Sequence, residues 1–438
     1  MRRVVKRILK WAGIVLGVLL LVLIAVAIIY SVDEAPPNDA DLRIARLNVP
    51  DEENAFTYFR RAAEKLSWPE ERKDELTSFI EGKAKYADEP NESDASAQQA
   101  EPWDAKLVDD LLAKNDEVFG LMNKGLACSK MEWPKVESFG ASEPYMLPLR
   151  DIGHAKALRS ISLMKAGKPR EAIDEALSTI KLGHMVGQSG GHLLVSVIGG
   201  TTGIDGYQCL NRILGKVECD DKLLRNLDRA LETMKPDKRA MTKALKCEYA
   251  LVAQMIDEKK NGELSRRETG KRRPTPGFLL RPNATKRVIA QSYRQQIENL
   301  SRMPSDYIVT EVEKMRLYYR TPRGTVRLCL EPNFVGKVIS VMLGRPGDQL
   351  QTLLREQLAR HSTTRLMIAL KRCKMKTGSL PDTLDALVPD YVDKVPDDPF
   401  DGKPMRYDPK EKIIYSVGDD LKDDGGDSEK DEVYRIRF

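Results

Sequence analysis

The stretch WAGIVLGVLLLVLIAVAIIY, which covers residues 11–30, decides how the rest of the chain is organised. It contains no charged residue, and a helix of this length spans about 30 Å, the thickness of the hydrocarbon core of a bilayer. In that core the backbone can hydrogen-bond only to itself, so the stretch has to be helical. The sequence therefore predicts a transmembrane helix from Trp11 to Tyr30, through which the protein contacts a lipid bilayer.

The charges on the two sides of this stretch differ in sign. The charged residues before it are all Arg or Lys, whereas Asp33 and Glu34 follow it. Basic residues are retained on the cytoplasmic side of a membrane, so residues 1–10 are predicted to be a cytoplasmic basic tail. The rest of the chain is then exported. This predicts a single-pass protein of the bacterial inner membrane with its body in the periplasm.

Two other structures are compatible with an apolar stretch near an N-terminus. A cleaved signal peptide is one, because Ala25-Val26-Ala27 has the spacing of a cleavage site. Residues 28–30 continue the apolar run beyond that site, which favours a retained anchor. A buried core helix is the other, and a run this long and this uniformly apolar is not typical of one.

The composition is that of a soluble body attached to an anchor. Of 438 residues, 41% are hydrophobic and 31% are charged. The length suggests roughly two or three domains. The net charge of +5 equals the charge of the basic residues in the cytoplasmic tail, so the exported part is nearly neutral. Nucleic acid is therefore not a predicted partner.

The six cysteines are widely spaced, and no two of them form a CxxC pair. This spacing indicates neither a zinc site nor a dense disulfide framework. Most of them lie in helical, partly apolar surroundings, where cysteine usually behaves as a small core residue. A bridge between Cys209 and Cys219 is possible outside the cytoplasm.

Residues 31–102 are predicted to be a spacer with one helix and a mobile loop. Prolines and charges are frequent in residues 31–50, which would lift the body off the membrane. Asp51 then begins a run with apolar residues at helical spacing, which predicts a helix to Leu66. Residues 84–103 are polar and poor in apolar side chains, which is typical of a mobile loop.

One amphipathic run follows another in residues 103–345, which predicts an irregular α-helical body. Residues 152–186 form a helical hairpin broken at Gly167-Lys168-Pro169, and the junction resembles one tetratricopeptide repeat. No convincing second copy follows, and a solenoid needs several. Residues 190–214 are rich in glycine without the spacing of a phosphate-binding loop. This favours a helix with a small-residue face that lets a neighbouring helix approach closely.

A basic segment rich in glycine and proline, residues 261–287, interrupts the helices. One interpretation is a solvated loop. The other is a patch that binds anionic lipid headgroups or an acidic partner. The sequence leaves both interpretations open.

The chain contains no HExxH or Cys–His signature, no catalytic residue is assigned, and an enzyme is not predicted. His154 and His184 lie on the helical hairpin, where they could meet. Neither is part of a metal-binding motif such as HExxH. An enzyme whose site is assembled from such scattered helical residues is the alternative.

Acidic residues become frequent after Gly378, and residues 346–438 are predicted to form a small α+β module. A long helix leads to Gly378, and a short one begins at Pro381. Three strands follow with the sequences KPMRYD, KIIYSV and VYRIRF, which predicts a short antiparallel sheet. The fold class expected for the whole chain is mainly α, with a transmembrane helix, an irregular helical body and this module.

Several motifs follow one another in this module: Gly378-Ser-Leu-Pro381, Leu384 and Leu387, Val395-Pro-Asp-Asp-Pro-Phe-Asp-Gly402, Tyr407, and Tyr415-Ser-Val-Gly418. Their order and spacing resemble the C-terminal half of the major pseudopilin of type II secretion, the G subunit. In that family a long helix packs on a small antiparallel sheet, and the loop before the last strand binds calcium. A pseudopilin carries its anchor at the start of that long helix, unlike this chain. The whole layout resembles membrane-anchored bacterial proteins that carry such a tail.

The segment GDDLKDDGGD, residues 418–427, contains five carboxylates and two adjacent glycines that permit tight turns. Calcium prefers six to eight oxygen ligands, from carboxylates and from backbone carbonyls in a turning loop. The pseudopilin resemblance implies a calcium site with two side-chain ligands, Asp420 and Asp427. The further ligands would be the carbonyl groups of Val417 and Lys422, and Asp424. A solvated acidic loop without an ion is the alternative.

The function expected from these features is binding or structural, in an envelope or secretion-related assembly with a protein partner. Two alternatives stay open. One is the enzyme mentioned above, and the other is a helical receptor that binds peptides on a concave face. More hairpins like residues 151–185, stacked in register, would support the receptor.

Overall fold

The computed structural model describes residues 2–81, 103–138, 143–344 and 347–438. The mobile loop expected at 84–103 lies almost entirely outside these residues, and so does the expected domain boundary at 345–346. The described residues are mainly helical and end in a small antiparallel sheet, which confirms the coarse fold class. The pseudopilin-like detail of the C-terminal module stays an expectation.

Sixteen α-helices and three strands are present in the described parts of the chain. The helices of the first half are α1 (Arg2–Ser31), α2 (Ala55–Lys65), α3 (Lys73–Glu81), α4 (Ala105–Lys114), α5 (Asp116–Ala127), α6 (Met146–Lys165), α7 (Pro169–Gln188) and α8 (Leu193–Lys216). Those of the second half are α9 (Asp221–Thr233), α10 (Lys238–Asn261), α11 (Glu263–Thr269), α12 (Pro282–Asn299), α13 (Glu311–Tyr319), α14 (Pro322–Leu330), α15 (Phe334–Leu343) and α16 (Gly347–Thr377). The strands are β1 (Arg406–Asp408), β2 (Ile413–Ser416) and β3 (Glu432–Arg435).

Helix α1 contains the apolar stretch that opens the chain. Among the described residues it is the one helix long and apolar enough to cross a membrane, over Lys10–Ser31, with a mean hydropathy of 3.2. Its apolar window is 0% buried against the rest of the protein. The predicted transmembrane segment is therefore a continuous helix with an uncovered apolar surface.

Residues 31–81 differ from the predicted spacer with one helix. Two α-helices are present, α2 and α3, and both pack against α6. The segment between α1 and α2 lies along the body, because Arg294 on α12 holds the carboxylate of Asp41 at 2.7 and 2.8 Å. The hydroxyl of Tyr249 on α10 donates to Asp39 at 2.9 Å. Asp39 and Asp41, which belong to the predicted spacer, thus contact helices that are far away in the sequence.

Helices α6 and α7 form the predicted hairpin. Gly167 adopts a φ of 72° in the turn, and Pro169 occupies the first turn of α7. Helix α8 then packs on α7 through glycines, as its small-residue face predicted. A Cβ atom on Gly183 would lie 2.4 Å from the backbone nitrogen of Gly203, and one on Gly199 would lie 2.5 Å from that of Gly187. The two backbones are therefore too close for larger residues at Gly183 and Gly199.

Helix α16 is the long helix predicted before Gly378, and it is shared by two parts of the core. Leu353 packs with Tyr249 and Ile289 of the body, whereas Leu370 packs with Ile414 of the sheet. The helix contacts α8, α9, α10 and α12 on one side and β2 on the other. The C-terminal sheet and the helical body are therefore joined through one continuous helix.

The three strands pair in the order β1-β2-β3, and both pairings are antiparallel. Ile414 lies opposite Tyr407 on one side and Tyr434 on the other, and it is fully buried. The short helix predicted at Pro381 is a single 3-10 turn, Leu384–Leu387. The sheet therefore has a small apolar face that α16 covers.

Candidate functional site

The loop between β2 and β3 contains all of the predicted calcium ligands. Val417 stands at its start and is buried, and its N–H donates to Asp398 at 3.0 Å. The remaining predicted ligands are exposed: Asp420, Lys422, Asp424 and Asp427. The structure thus places the five residues on one loop, with only the first of them in the core.

The exposed carboxylates form hydrogen bonds within their own turns. Asp420 accepts the N–H of Lys422 at 3.0 Å, and Asp427 accepts the N–H of Glu429 at 3.0 Å. The described part of the chain contains no group of three or more His, Cys, Asp or Glu side chains arranged to hold a metal ion. The oxygen chemistry of the loop suits calcium, whereas this arrangement does not bring the carboxylates together.

Lys430 places a positive charge inside the acidic loop. Its ammonium lies 3.2 Å from Asp424 Oδ1 and 3.9 Å from Asp427 Oδ2. The hydrogen bond with Asp424 and the charges of Asp424 and Asp427 raise the pKa of Lys430. An internal cation therefore already neutralises two of the predicted calcium ligands. Lys430 lies beyond residues 418–427, from which the calcium site was predicted. Its position beside Asp424 depends on the backbone conformation of the loop.

Arg406 on β1 neutralises a second set of carboxylates. It contacts Asp398 at 2.7 Å and Asp423 at 3.0 Å, and it also pairs with Asp401. Burial alone would lower the pKa of Arg406, but the hydrogen bonds with Asp401 and Asp423 raise it overall. Asp398 is fully buried and also accepts the hydroxyl of Ser416 at 2.8 Å. This cluster fixes the loop at its start, through Asp398, and in its middle, through Asp423.

Asp431 is the one loop carboxylate with an unused buried oxygen among the described residues of this loop. Its Oδ2 accepts the N–H of Gly426 at 2.7 Å, and its Oδ1 is buried without a hydrogen-bond partner. A buried carboxylate oxygen without a partner is costly, and a cation would satisfy it. Asp431 was not among the predicted ligands, because it lies beyond residues 418–427, from which the carboxylate ligands were taken.

The two histidines of the α6–α7 hairpin have different partners. His154 lies 3.7 Å from Asp205, and the centroid of its ring is 6.2 Å from that of Trp68, with the two rings tilted. His184 instead lines a cleft of about 550 Å³ together with Cys128 and other side chains, and burial lowers its pKa. The structure does not place His154 and His184 in one site.

A buried carboxylate–imidazole contact joins Glu143 to His192 at the start of α8, with 2.5 Å between Oε2 and Nε2. Glu143 also accepts Trp133 Nε1 at 3.0 Å and the hydroxyl of Tyr145 at 3.2 Å. Burial raises the pKa of Glu143, but these hydrogen bonds lower it overall. Both oxygens of the carboxylate thus have partners among neighbouring side chains, which is typical of a structural network. No local sequence signal connects Glu143 to His192.

The last turn of α1 is attached to the body. Arg281, just before α12, donates from Nε to the carbonyl oxygen of Tyr30 at 2.8 Å, and its guanidinium lies 6.0 Å from the Tyr30 ring. Beside this contact is an open cleft of about 480 Å³. Its lining is Ile24, Ile28, Ser31, Val32, Pro276 and Phe278. Pro276, Phe278 and Arg281 belong to the basic segment 261–287, which was predicted to be a solvated loop or a binding patch. This part of the segment therefore lies against α1.

The cysteines whose side chains the structure describes are free thiols: Cys128, Cys209, Cys219, Cys247 and Cys373. The possible bridge between Cys209 and Cys219 is therefore not formed. Burial raises the pKa of Cys209 to about 12, so this thiol is held in its neutral form as a small core residue.

Comparisons with models of protein families, with curated proteins and with solved structures found no match to this chain. The pseudopilin resemblance of residues 378–438 stays an expectation from the sequence. Conclusions about function therefore depend on the residues and contacts described above.

Proposed function

We propose that the protein is a single-pass protein of the bacterial inner membrane, with α1 retained as its anchor. Residues 1–10 are in the cytoplasm, and the helical body is in the periplasm. The observation that supports the anchor is the exposed apolar surface of α1 on a helix whose last turn is hydrogen-bonded to the body. An uncovered apolar surface of this length is unfavourable in water, and a bilayer covers it.

The role that we propose for the body is binding or structural, in an envelope or secretion-related assembly. The buried contacts of Glu143 support this role over catalysis, because both oxygens of its carboxylate are held by neighbouring side chains. A protein partner is expected to bind the extracytoplasmic surface. A pull-down of the detergent-solubilised protein from its native membrane, with and without chelator, would identify the partner.

We also propose that the acidic loop binds Ca²⁺ when the ion displaces the ammonium of Lys430. Asp420, Asp424 and Asp427 would supply carboxylate oxygens, and Val417 and Lys422 would supply carbonyl oxygens. The support is the oxygen-rich loop itself and the unpartnered Oδ1 of Asp431 at its end. A bound Ca²⁺ would replace the single positive charge of the Lys430 ammonium by its own two positive charges.

The anchor is tested by the mass of the mature N-terminus and by protease access. Peptides that reach back before Ala27 are expected in the mature protein, and a uniform N-terminus at Ile28 would contradict a retained anchor. A tag placed after Phe438 is expected to be digested in spheroplasts and protected in intact cells. Protection of the tag in spheroplasts would contradict a periplasmic body.

A further inference from the structure

The segment between α11 and α12 passes the end of α1 at a very short distance. A Cβ atom on Gly277 would lie 2.8 Å from the carbonyl oxygen of Ser31 and 2.9 Å from its Cβ. A glycine is therefore required for this approach. Pro276 and Phe278 stand on either side of Gly277, and the side chain of Phe278 is 42% exposed.

The depth of this segment in the bilayer follows from the residues of α1 that it contacts. Pro276 and Phe278 line one cleft together with Ile24 and Ile28. At 1.5 Å per residue, Ile28 lies about 3 Å and Ile24 about 9 Å from Tyr30 along the helix, on the N-terminal side. If Tyr30 marks the edge of the hydrocarbon core, then the cleft lies within the acyl chains of the adjacent leaflet.

Positive charges stand on both sides of this apolar tip. Arg281 contacts Tyr30, which the proposed anchor would place near the lipid headgroups. Lys271 and Arg273 are exposed and form no ion pair with any residue that the structure describes. In contrast, Arg267 is paired with Glu258 at 3.0 Å and Arg266 with Glu263 at 3.6 Å. Two cations of the segment are thus available to an anionic ligand.

We infer that residues 271–281 form a binding site for an anionic phospholipid of the leaflet next to the body. The Pro276-Gly277-Phe278 tip enters the hydrocarbon beside α1, and an acyl chain of the lipid fills the cleft against Ile24 and Ile28. The phosphate is held by Lys271 and Arg273, where each basic residue near a membrane surface adds about fivefold in affinity. This inference rests on the proposed anchor, because the position of α1 in the bilayer sets the depth of the tip.

The first test is photo-crosslinking of the full-length protein in native membranes. Benzoylphenylalanine is introduced separately at the positions of Phe278, Leu21 in α1, and Leu421 in the loop between β2 and β3. Phospholipid adducts are expected at 21 and 278 and not at 421. An adduct at 21 without one at 278 would overturn the lipid site and leave the anchor intact. Absence of an adduct at 21 would overturn the anchor itself, and a protein adduct at 278 would replace the lipid by a protein partner.

The second test concerns the headgroup. The Lys271→Gln/Arg273→Gln variant is reconstituted in nanodiscs of phosphatidylcholine with limiting phosphatidylglycerol, and phosphatidylglycerol retained after mild detergent extraction is measured by mass spectrometry. The affinity for phosphatidylglycerol is expected to fall about 25-fold, because two basic residues are lost, and less of this lipid is then retained. The control, Arg266→Gln/Arg267→Gln, removes the same charge from paired residues and is expected to change retention much less. Equal losses in both variants, or no loss in the first, would overturn the assignment.

Discussion

The carboxylate of Asp33, two residues beyond α1, accepts the backbone N–H of Asn283 at 2.8 Å, although the two residues are 250 positions apart. Its second oxygen accepts the N–H of Ala284 at 3.2 Å. These two donors belong to the first turn of α12, where N–H groups have no partner within the helix. Asp33 therefore caps α12 from outside and fixes the direction in which α1 leaves the body.

Removal of this cap is expected to loosen the start of α12. Asp33→Ala should cost about 1 kcal/mol, as the loss of a capping side chain usually does. Amide hydrogen exchange in the peptide that contains Asn283 and Ala284 should then be about fivefold faster in the detergent-solubilised protein. Asp33→Asn keeps one acceptor oxygen and should have a smaller effect. Unchanged exchange in Asp33→Ala would show that α12 does not depend on this contact.

The close packing of α7 on α8 predicts opposite effects for two neighbouring glycines. Gly199→Ala should destabilise the protein by about 1–3 kcal/mol, because its new methyl group would meet the backbone of Gly187 at 2.5 Å. Gly203→Ala is the matched control on the same helix, since a Cβ there meets nothing within 4 Å. This substitution should be neutral or stabilise by about 0.5–1 kcal/mol, because alanine favours the helix. Denaturant unfolding that gives both variants the same stability would contradict the packing.

The pH dependence of stability is expected to include a contribution from His361 on α16. Burial, together with Arg365 and Lys235, lowers the pKa of His361 to about 3, and Nδ1 lies 3.2 Å from the hydroxyl of Tyr207. The unfolded chain takes up this proton near pH 6.5, so the free energy of unfolding falls as the pH drops from 6.5 toward 3. One such proton amounts to about 1.4 kcal/mol per pH unit.

His361→Gln should reduce this slope, which is measured by denaturant unfolding between pH 5 and 7, and the lowered pKa of His184 should leave a smaller slope of the same sign. Tyr207→Phe is the control, because it removes the hydrogen bond and keeps the titrating imidazole. It should lower the stability at every pH and retain the slope. A His361→Gln protein with the same slope as the unchanged protein would show that the imidazole does not carry the effect.

The acidic loop offers a test in which the competing cation is removed. Lys430→Gln should bind Ca²⁺ more tightly than the unchanged protein, because the ion no longer displaces an ammonium from Asp424 and Asp427. At a hundredfold excess over Kd, calcium should add about 2.7 kcal/mol to the free energy of unfolding. Magnesium should add less, because it requires a stricter octahedral geometry.

The measurement is a thermal melt of the full chain in chelator, calcium and magnesium. The full chain is used because α16 is packed on both the body and the sheet. Asp420→Ala/Asp427→Ala should abolish the calcium shift in either background. Identical melting in all three conditions for the unchanged protein and for Lys430→Gln would leave a solvated acidic loop as the correct interpretation.

The sequence predicted those features that depend on neighbouring residues. Gly167 and Pro169 mark the turn between α6 and α7, and the spacing of apolar residues marks the helices and the three strands. Contacts across the chain could not be predicted in this way. Asp33 looked like part of a solvated spacer because its partner on α12 is 250 residues away.

Within the short acidic loop, too, the sequence predicts the local conformation but not the contacts between side chains. The sequence predicts an oxygen-rich turning loop from its acids and its two glycines, and the structure has that loop. Whether its carboxylates face one another depends on the backbone of each turn. Asp420 and Asp427 accept N–H groups of their own turns, and Lys430 reaches back to Asp424. These three contacts determine where the carboxylates point, and the spacing of residues in the sequence does not predict them.

Helix α16 has a consequence for the order in which the protein can assemble. It is the last α-helix in the described residues, yet it covers α8, α9, α10 and α12. A ribosome that adds about 5–20 residues per second needs roughly 10–30 s to proceed from the end of α8 to the end of α16. During this interval the surface of α8 that α16 later covers has no partner and is exposed to proteases and chaperones. A nascent chain that stops before α16 would therefore be degraded as an incomplete core, however well its earlier helices form.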